Sequence, residues 1–247
     1  MSKKLVLVFV VIGFIGFSGW RVFSARDESK TKNDLSSQTE SPENQQGTKS
    51  FDKSQYSTGQ PDSIWVVTNK KRSLPDDYTP ANLVVPNVPL RLGSGEEQMH
   101  LRKDAATALE SMFADAKKAG HDLYLASGYR SFGYQKVLYD GYVARDGQAE
   151  ADKYSARPGT SEHQTGLAAD VGGVDGNCEL EICFGDTAEG KWVAANAHKY
   201  GFIIRYPEGK ESVTTYQYEP WHLRYVGKGL AAELKKTNQT MEEFFNL

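Results

Sequence analysis

The sequence predicts an α+β domain in which a small antiparallel sheet is flanked by helices. Segments with helical spacing of apolar residues alternate with short extended segments along the chain. The last two extended segments, 202–206 and 218–226, lie close together in sequence. Closely spaced late strands favour an antiparallel sheet over a doubly wound parallel one.

Length and composition limit the class of function. The chain has 247 residues, of which 39% are hydrophobic, and this is enough for one domain with additional segments. Its formal net charge is −3. Because there is no excess of basic residues to neutralise phosphates, a role in binding nucleic acid is disfavoured.

The first 25 residues are predicted to be an N-terminal membrane anchor or export signal. Lys3 and Lys4 precede an apolar run over residues 5–20, which is somewhat shorter than the roughly 20 residues that span a bilayer. An uncleaved anchor is favoured over a cleaved signal, since residues 22–25 offer no clear cleavage motif. Either interpretation places the rest of the chain outside the cytoplasm.

Residues 26–60 are predicted to be a disordered polar linker. The segment is rich in Ser, Lys, Gln, Asn, Asp, Glu and Thr, and Phe51 and Tyr56 are its only aromatic residues. Such a composition buries too little apolar surface to offset the entropy lost on ordering. The folded domain is therefore expected over residues 61–247.

Within this domain the sequence predicts alternating short strands and helices. Extended segments are expected at 64–67, 83–85, 88–90, 123–126, 202–206 and 218–226. Helices are expected at 101–119, 134–144 and 191–200, with terminal helical turns at 229–236 and 241–245. Residues 172–190 are predicted to form a loop-rich insertion that carries Cys178 and Cys183, the only two cysteines.

The first candidate site lies in residues 160–170. His163 and Asp170 are seven residues apart, and Gly166, Ala168 and Ala169 lie between them. Small residues let the backbone fold closely, so both side chains could reach one point. Zinc accepts an imidazole nitrogen and a carboxylate oxygen. The alternative is a hydrogen-bonded His–Asp pair in a core turn.

A third ligand and a base are predicted in residues 219–222. Pro220 excludes a regular helix, and an extended segment bent at this proline could direct His222 and Glu219 into one cavity. Two histidines and one aspartate would leave a fourth zinc position open for water, as in catalytic sites. Glu219 could then take the proton of that water. The alternatives are an interfacial His222 beside Trp221 and a salt bridge from Glu219 to Arg224.

These motifs resemble those of the VanY-type D-alanyl-D-alanine carboxypeptidases. The resemblance rests on Ser161-x-His163-x-x-Gly166-x-Ala168-x-Asp170, on Glu219-x-Trp221-His222, and on the upstream segment 127–131, in that order. It covers about residues 62–247. It implies a zinc peptidase fold shared with the D-Ala-D-Ala dipeptidases and the hedgehog amino-terminal domain. It also implies removal of a C-terminal D-alanine from peptidoglycan stem peptides in a bacterial, extracytoplasmic setting.

The same resemblance assigns roles to individual residues. His163, Asp170 and His222 match the zinc ligands, Glu219 the catalytic base, and Arg130 the arginine that holds or polarises the substrate. A guanidinium suits both a terminal carboxylate and a developing oxyanion. By the same resemblance Gln135 and Ser161 are predicted substrate contacts. Independently of the resemblance, Arg157 is a second cationic candidate for binding substrate, and Trp221 is expected to pack behind the zinc site and shape the pocket. For Arg130 and Ser161 the alternative is a helix-capping role, for Gln135 a solvated position, and for Trp221 a plain place in the core.

Three questions stay open at this level. An L,D-carboxypeptidase that acts on tetrapeptide stems is the alternative activity, and a non-catalytic module that binds cell-wall peptides is a different class. Cys178 and Cys183 could form a disulfide in an oxidising exterior or remain two free thiols. The protein is expected to be a monomer, either anchored in the membrane or secreted.

Overall fold

A four-stranded antiparallel sheet forms the centre of the domain. The computed structural model describes residues 51–247. The strands are β3 (Leu123–Ser127), β4 (Ala168–Gly173), β5 (Phe202–Ile204) and β6 (His222–Tyr225), in the spatial order β3-β4-β6-β5. A separate two-stranded ribbon pairs β1 (Leu83–Val84) with β2 (Leu101–Arg102). The α+β class and the antiparallel sheet are thus confirmed.

Helices surround this sheet in the order predicted, with two additions. The α-helices are α1 (Lys103–Lys118), α2 (Phe132–Asp146), α3 (Gln148–Tyr154), α4 (Ala188–Asn196), α5 (Glu211–Thr214), α6 (Lys228–Thr237) and α7 (Met241–Phe245). Single 3-10 turns lie at Glu97–Met99, Glu162–Thr165, Ile182–Asp186 and Ala197–Tyr200. The additions are α3 and α5, which are short and lack a clear apolar period.

The main core lies around α1 and the sheet. The buried face of α1 carries Leu109, Met112, Phe113 and Ala116, which recur at helical spacing. These side chains pack with strand residues such as Leu125. The helix begins two residues later than predicted because residues 101–102 pair with β1 instead.

One predicted extended segment forms no strand, and one strand was not predicted, each for an identifiable reason. Residues 64–67 form no strand; there the indole Nε1 of Trp65 donates to the carbonyl oxygen of Val226 at 3.0 Å. Strand β4 was not predicted because its sequence, AADVGG, is rich in small residues that favour no strand. Its glycines are required by packing, since a Cβ at Gly172 would lie 2.8 Å from the ring of Tyr124.

The end of the predicted linker packs against the domain. Phe51 lies 5.4 Å from Phe244 between ring centroids, and Tyr56 lies 4.3 Å from Trp65. These two aromatics provide the apolar surface that the preceding polar residues lack. The predicted anchor (1–25) and the rest of the predicted linker (26–50) lie outside the described residues. Within residues 51–247, none of the helices has the length and apolar character needed to cross a membrane.

A disulfide lies within the loop-rich segment 172–190. Cys178 and Cys183 are bonded, with their Cα atoms 5.5 Å apart. The sequence left a disulfide and two free thiols open, and the structure has the disulfide. The bond links Cys178 to the 3-10 turn Ile182–Asp186, and Leu180, which lies between the two cysteines, lines the cleft described next.

Candidate active site

Strand register brings Asp170 and His222 together. The two residues are direct partners across the antiparallel pair β4–β6, although 52 positions separate them in sequence. Side chains of directly opposed residues lie on the same face of a sheet. Nδ1 of His222 accordingly lies 2.9 Å from Oδ1 of Asp170.

His163 reaches the same point from the turn that precedes β4. The 3-10 turn Glu162–Thr165 ends at Gly166, whose φ of 67° lies in the left-handed region that favours glycine. The imidazole Nδ1 of His163 donates to the carbonyl oxygen of Gly128 at 2.5 Å. This bond directs Nε2 towards Asp170, whose Oδ2 lies 3.2 Å away.

The Gly128 carbonyl can approach His163 because residue 128 has no side chain. A Cβ at this position would lie 2.3 Å from the backbone oxygen of His100. A second hydrogen bond joins the same two segments: the amide of Arg130 donates to the carbonyl oxygen of His163 at 3.2 Å. The segment 127–131 therefore supports the turn that carries His163.

The three side chains together fit a metal ion. His163, Asp170 and His222 are all buried, and one donor atom from each lies within 4.8 Å of the other two. Nε2 of His163 is buried and has no hydrogen-bond donor within residues 51–247, since its neighbour, Oδ2 of Asp170, is itself an acceptor. Two imidazole nitrogens and a carboxylate oxygen form a donor set suited to zinc. The residues present thus fit the metal expected from the sequence.

Glu219 lies beside this cluster as expected. Its Oε2 is 3.9 Å from Nδ1 of His222, and the amide of His222 donates to its carbonyl oxygen at 3.1 Å. The Glu219 amide in turn donates to the carbonyl oxygen of Tyr206 at 3.0 Å. The alternative of a Glu219–Arg224 salt bridge is wrong, because the guanidinium of Arg224 binds Glu162 at 2.7 Å.

The local charges and burial shift the acid–base properties of the cluster. Burial raises the pKa of Glu219 to about 7, against the opposing charge of His222. Burial lowers the pKa of His163 to about 4, and the charge of Arg130 acts in the same direction. Burial alone would raise the pKa of Asp170, but the neighbouring histidines hold it well below its ordinary value. A carboxyl group with a pKa near neutrality, next to an ionised carboxylate, is the pattern of an acid–base residue.

Most of the predicted substrate contacts line the same cleft. The cleft has a volume of about 250 Å³ and is lined by Arg130, Gln135, Ser161 and Trp221 together with the four residues above. Gln135 is buried; its Nε2 donates to the carbonyl oxygen of Ala156 at 2.7 Å, whereas its Oε1 has no hydrogen-bond partner within residues 51–247. Ser161 is buried in the cleft wall, and its side chain makes no capping hydrogen bond to the following turn.

Arg157 is not brought into the cleft. Its guanidinium forms a bidentate pair with the carboxylate of Asp152, with distances of 2.9 and 2.7 Å. The side chain is 55% exposed. Trp221 lines the cleft and also packs in the main core.

Two further cleft residues were missed by the sequence analysis. The ring of Tyr206 stacks on His222, with centroids 4.9 Å apart and planes 29° apart. Glu162 is fully buried, and its Oε2 lies 3.4 Å from Nε2 of His222. Glu162 adjoins His163 in sequence, but a glutamate in a turn usually faces solvent, so no pattern distinguished it.

Comparison with known proteins gives a family match for this chain. Residues 98–228, more than half of the chain, match the family described as "VanY: D-alanyl-D-alanine carboxypeptidase". The protein YodJ of Bacillus subtilis is 49% identical over 185 residues, which are 75% of this chain and 68% of that protein. A D-alanyl-D-alanine carboxypeptidase of Enterococcus faecium is 40% identical over 152 residues, which are 61% of this chain but only 46% of that enzyme.

Solved structures agree with this placement. The structure of the LdcB LD-carboxypeptidase superposes with a TM-score of 0.72 at 48% identity, over 75% of this chain and 87% of that one. A vancomycin resistance D,D-pentapeptidase, VanY, solved in complex with Zn(II), has a TM-score of 0.58 at 29% identity, over 73% of this chain and 97% of that one. Both superpositions cover most of the part of the chain that the structure describes.

Proposed function

Because the chain belongs to the VanY family of D-alanyl-D-alanine carboxypeptidases, we propose that it removes the C-terminal D-alanine from peptidoglycan stem peptides. The observation that carries the proposal is the convergence of His163, Asp170 and His222 in one cleft with Glu219 beside them. The protein is a zinc-dependent hydrolase, and the zinc-bound VanY relative supports this metal.

The zinc ion would be held by His163, Asp170 and His222. When bound in such a site, zinc lowers the pKa of a water molecule towards about 7 and polarises a carbonyl oxygen. The three side chains are buried, so they hold their donor atoms in place before the substrate arrives. Asp170 and His222, two of the three residues that would hold the ion, lie on adjacent strands, which are rigid supports.

Glu219 moves the proton in this proposal. Its carboxylate takes a proton from the attacking water and delivers it to the nitrogen of the departing D-alanine. A pKa of about 7 suits both steps, because the same group must be a base first and an acid afterwards. Burial of Glu219, in the cleft that Trp221 and Tyr206 also line, limits the access of bulk water to this carboxylate.

Arg130 supplies the fixed positive charge. Its side chain lines the cleft, and its Nε is buried without a hydrogen-bond partner within residues 51–247. The guanidinium can therefore bind the C-terminal carboxylate of the substrate or the oxyanion that develops at the scissile carbonyl. Gln135 and Ser161 are proposed to contact the peptide from the same wall.

The L,D-carboxypeptidase activity remains the second candidate. It is favoured by the similarity to the LdcB LD-carboxypeptidase at 48% identity and a TM-score of 0.72. The two activities share the metal, the base and the leaving D-alanine, and they differ in the configuration of the residue before the cleaved bond. The D,D activity is retained as the proposal because the matching family is described by it.

Product analysis by mass spectrometry tests the proposal. Muropeptides with pentapeptide and tetrapeptide stems are incubated separately with the zinc-loaded protein. Loss of one D-alanine from the pentapeptide is expected. Cleavage of the tetrapeptide alone would replace the proposal by the second candidate, and cleavage of neither would favour a non-catalytic binding module. We further propose that residues 1–25 attach the protein to the outer face of the bacterial membrane and that it acts as a monomer.

A further inference from the structure

The imidazole of His222 is held through both of its nitrogens. Nδ1 faces the centre of the site, where it lies 2.9 Å from Asp170 and 3.9 Å from Glu219. Nε2 faces the opposite way and lies 3.4 Å from Oε2 of Glu162. This separation is at the long end of hydrogen-bonding distances, and the negative charge of a carboxylate strengthens the contact.

The carboxylate of Glu162 is itself fixed by two arginines. Its Oε1 accepts from Nε of Arg205 at 2.7 Å and from Nη1 of Arg224 at 2.7 Å. The side chains of all three residues have zero exposure. A buried glutamate between two guanidinium groups has little freedom to rotate, so Oε2 stays directed at His222.

His163 is held in the complementary way. Its Nδ1 donates to the carbonyl oxygen of Gly128, which leaves Nε2 free to face the centre. Each imidazole thus has one nitrogen at the centre and the other on a protein acceptor. Histidines that bind metals commonly use such an outer acceptor to fix the tautomer and the orientation of the ring. For His163 the acceptor is a backbone carbonyl, and for His222 it is a charged side chain.

We propose that Glu162 is a positioning residue of the metal site. Its carboxylate accepts the Nε2–H of His222 and so selects the tautomer whose Nδ1 lone pair faces the metal, while Arg205 and Arg224 hold that carboxylate in place. Glu162 contacts neither substrate nor metal in this arrangement. The inference rests on the proposed function only in taking His163, Asp170 and His222 as the zinc ligands.

A matched pair of variants separates positioning from general stability. Glu162→Gln and Glu242→Gln each remove one of the two carboxylates bound to Arg205. Glu242 binds Arg205 at 2.6 and 2.9 Å and Asn69 at 3.0 Å, on the side away from His222. Zinc affinity is measured with Zn²⁺ alone by competition with a chromogenic chelator.

E162Q is expected to weaken zinc binding by about tenfold or more, as is typical when an outer carboxylate partner of a ligand is lost. E242Q is expected to leave the zinc Kd unchanged, even where it lowers the melting temperature. An unchanged Kd in E162Q, or an equal loss of affinity in both variants, would overturn the inference.

A second measurement does not depend on whether the variants fold. Two-bond ¹H–¹⁵N correlation spectra of the ¹⁵N-histidine-labelled, zinc-loaded natural chain report the tautomer of each ring. We expect His222 to carry its proton on Nε2, and His163 on Nδ1. A zinc-bound protein with the proton of His222 on Nδ1 would overturn the role of Glu162 alone. A natural chain that binds no zinc would instead overturn the proposed function on which the inference rests.

Discussion

Oε2 of Glu219 lies 3.9 Å from Nδ1 of His222, and both atoms face one buried cleft although Pro220 and Trp221 separate the two residues. The bend at Pro220 therefore places a carboxyl group of raised pKa directly beside a proposed metal ligand. Because Glu219 lies beside the proposed ligands but is not one of them, its role can be tested separately from metal binding.

Glu219→Gln is expected to lower kcat by roughly 10²–10⁴-fold, the usual contribution of a general acid–base group. The amide keeps the size of the side chain but cannot take up the proton. Release of D-alanine from a pentapeptide is measured together with bound zinc. Near-normal turnover in a variant that retains its zinc would show that another group is the base.

Removal of the metal or of one ligand is expected to abolish activity. Treatment with a chelator should stop D-alanine release, and added Zn²⁺ should restore it. His163→Ala should lose stoichiometric zinc, because it removes one of the three donors that lie within 4.8 Å of one another. His100→Ala is the control, since within residues 51–247 the His100 ring bonds the backbone oxygen of Glu96 and no other group. Equal zinc content in both variants would contradict the ligand assignment.

Arg130→Ala is expected to lower kcat/KM by about 10²-fold or more, because it removes the cleft-lining cation proposed to bind the substrate. Arg157→Ala is the matched control. Its guanidinium pairs with Asp152 and is largely exposed, so its kinetics should resemble those of the natural chain. If Arg157→Ala lost activity to the same extent, the role predicted from sequence for Arg157 would be correct after all.

The pair Glu242–Arg205 predicts a loss of stability in acid. Burial alone would raise the pKa of Glu242, but the charge of Arg205 and its hydrogen bonds hold it below its ordinary value of 4.5. A carboxyl group with a lowered pKa stabilises the fold above that ordinary value, and the contribution is lost as pH falls towards the folded pKa.

Glu242→Gln should therefore lower the free energy of unfolding by about 2 kcal/mol at neutral pH, and by less in acid. Urea unfolding at several pH values measures this difference. Glu243→Gln is a suitable control, because its carboxylate pairs with the partly exposed Lys210 and should contribute less. If the loss in free energy of unfolding caused by Glu242→Gln stayed constant down to acid pH, the stabilisation would not come from the ionised carboxylate of Glu242.

Most helices and strands could be predicted from the sequence, because the apolar spacing that indicates each of them lies within the segment itself. The apolar period of residues 101–119 predicted α1 to within two residues at its start, and the terminal helical turns were confirmed as α6 and α7. The sequence offered Cys178 and Cys183 no other cysteine as a partner, but it left free thiols open, and the structure decided for the disulfide. Strand β4 was missed because its small residues acquire their strand conformation from pairing on both edges.

For the site, the sequence by itself determined the candidate residues and their order along the chain, because the motifs around His163, Asp170 and His222 are short and contiguous. Only the tertiary structure decided which of them meet. The β4–β6 register places Asp170 opposite His222, whereas Arg157 is drawn away to Asp152. Glu162 was beyond sequence reasoning for the same reason: its partners, Arg205 and Arg224, are brought to it by β6 and the end of β5, and a buried charge is recognisable only once its counter-charges are in place.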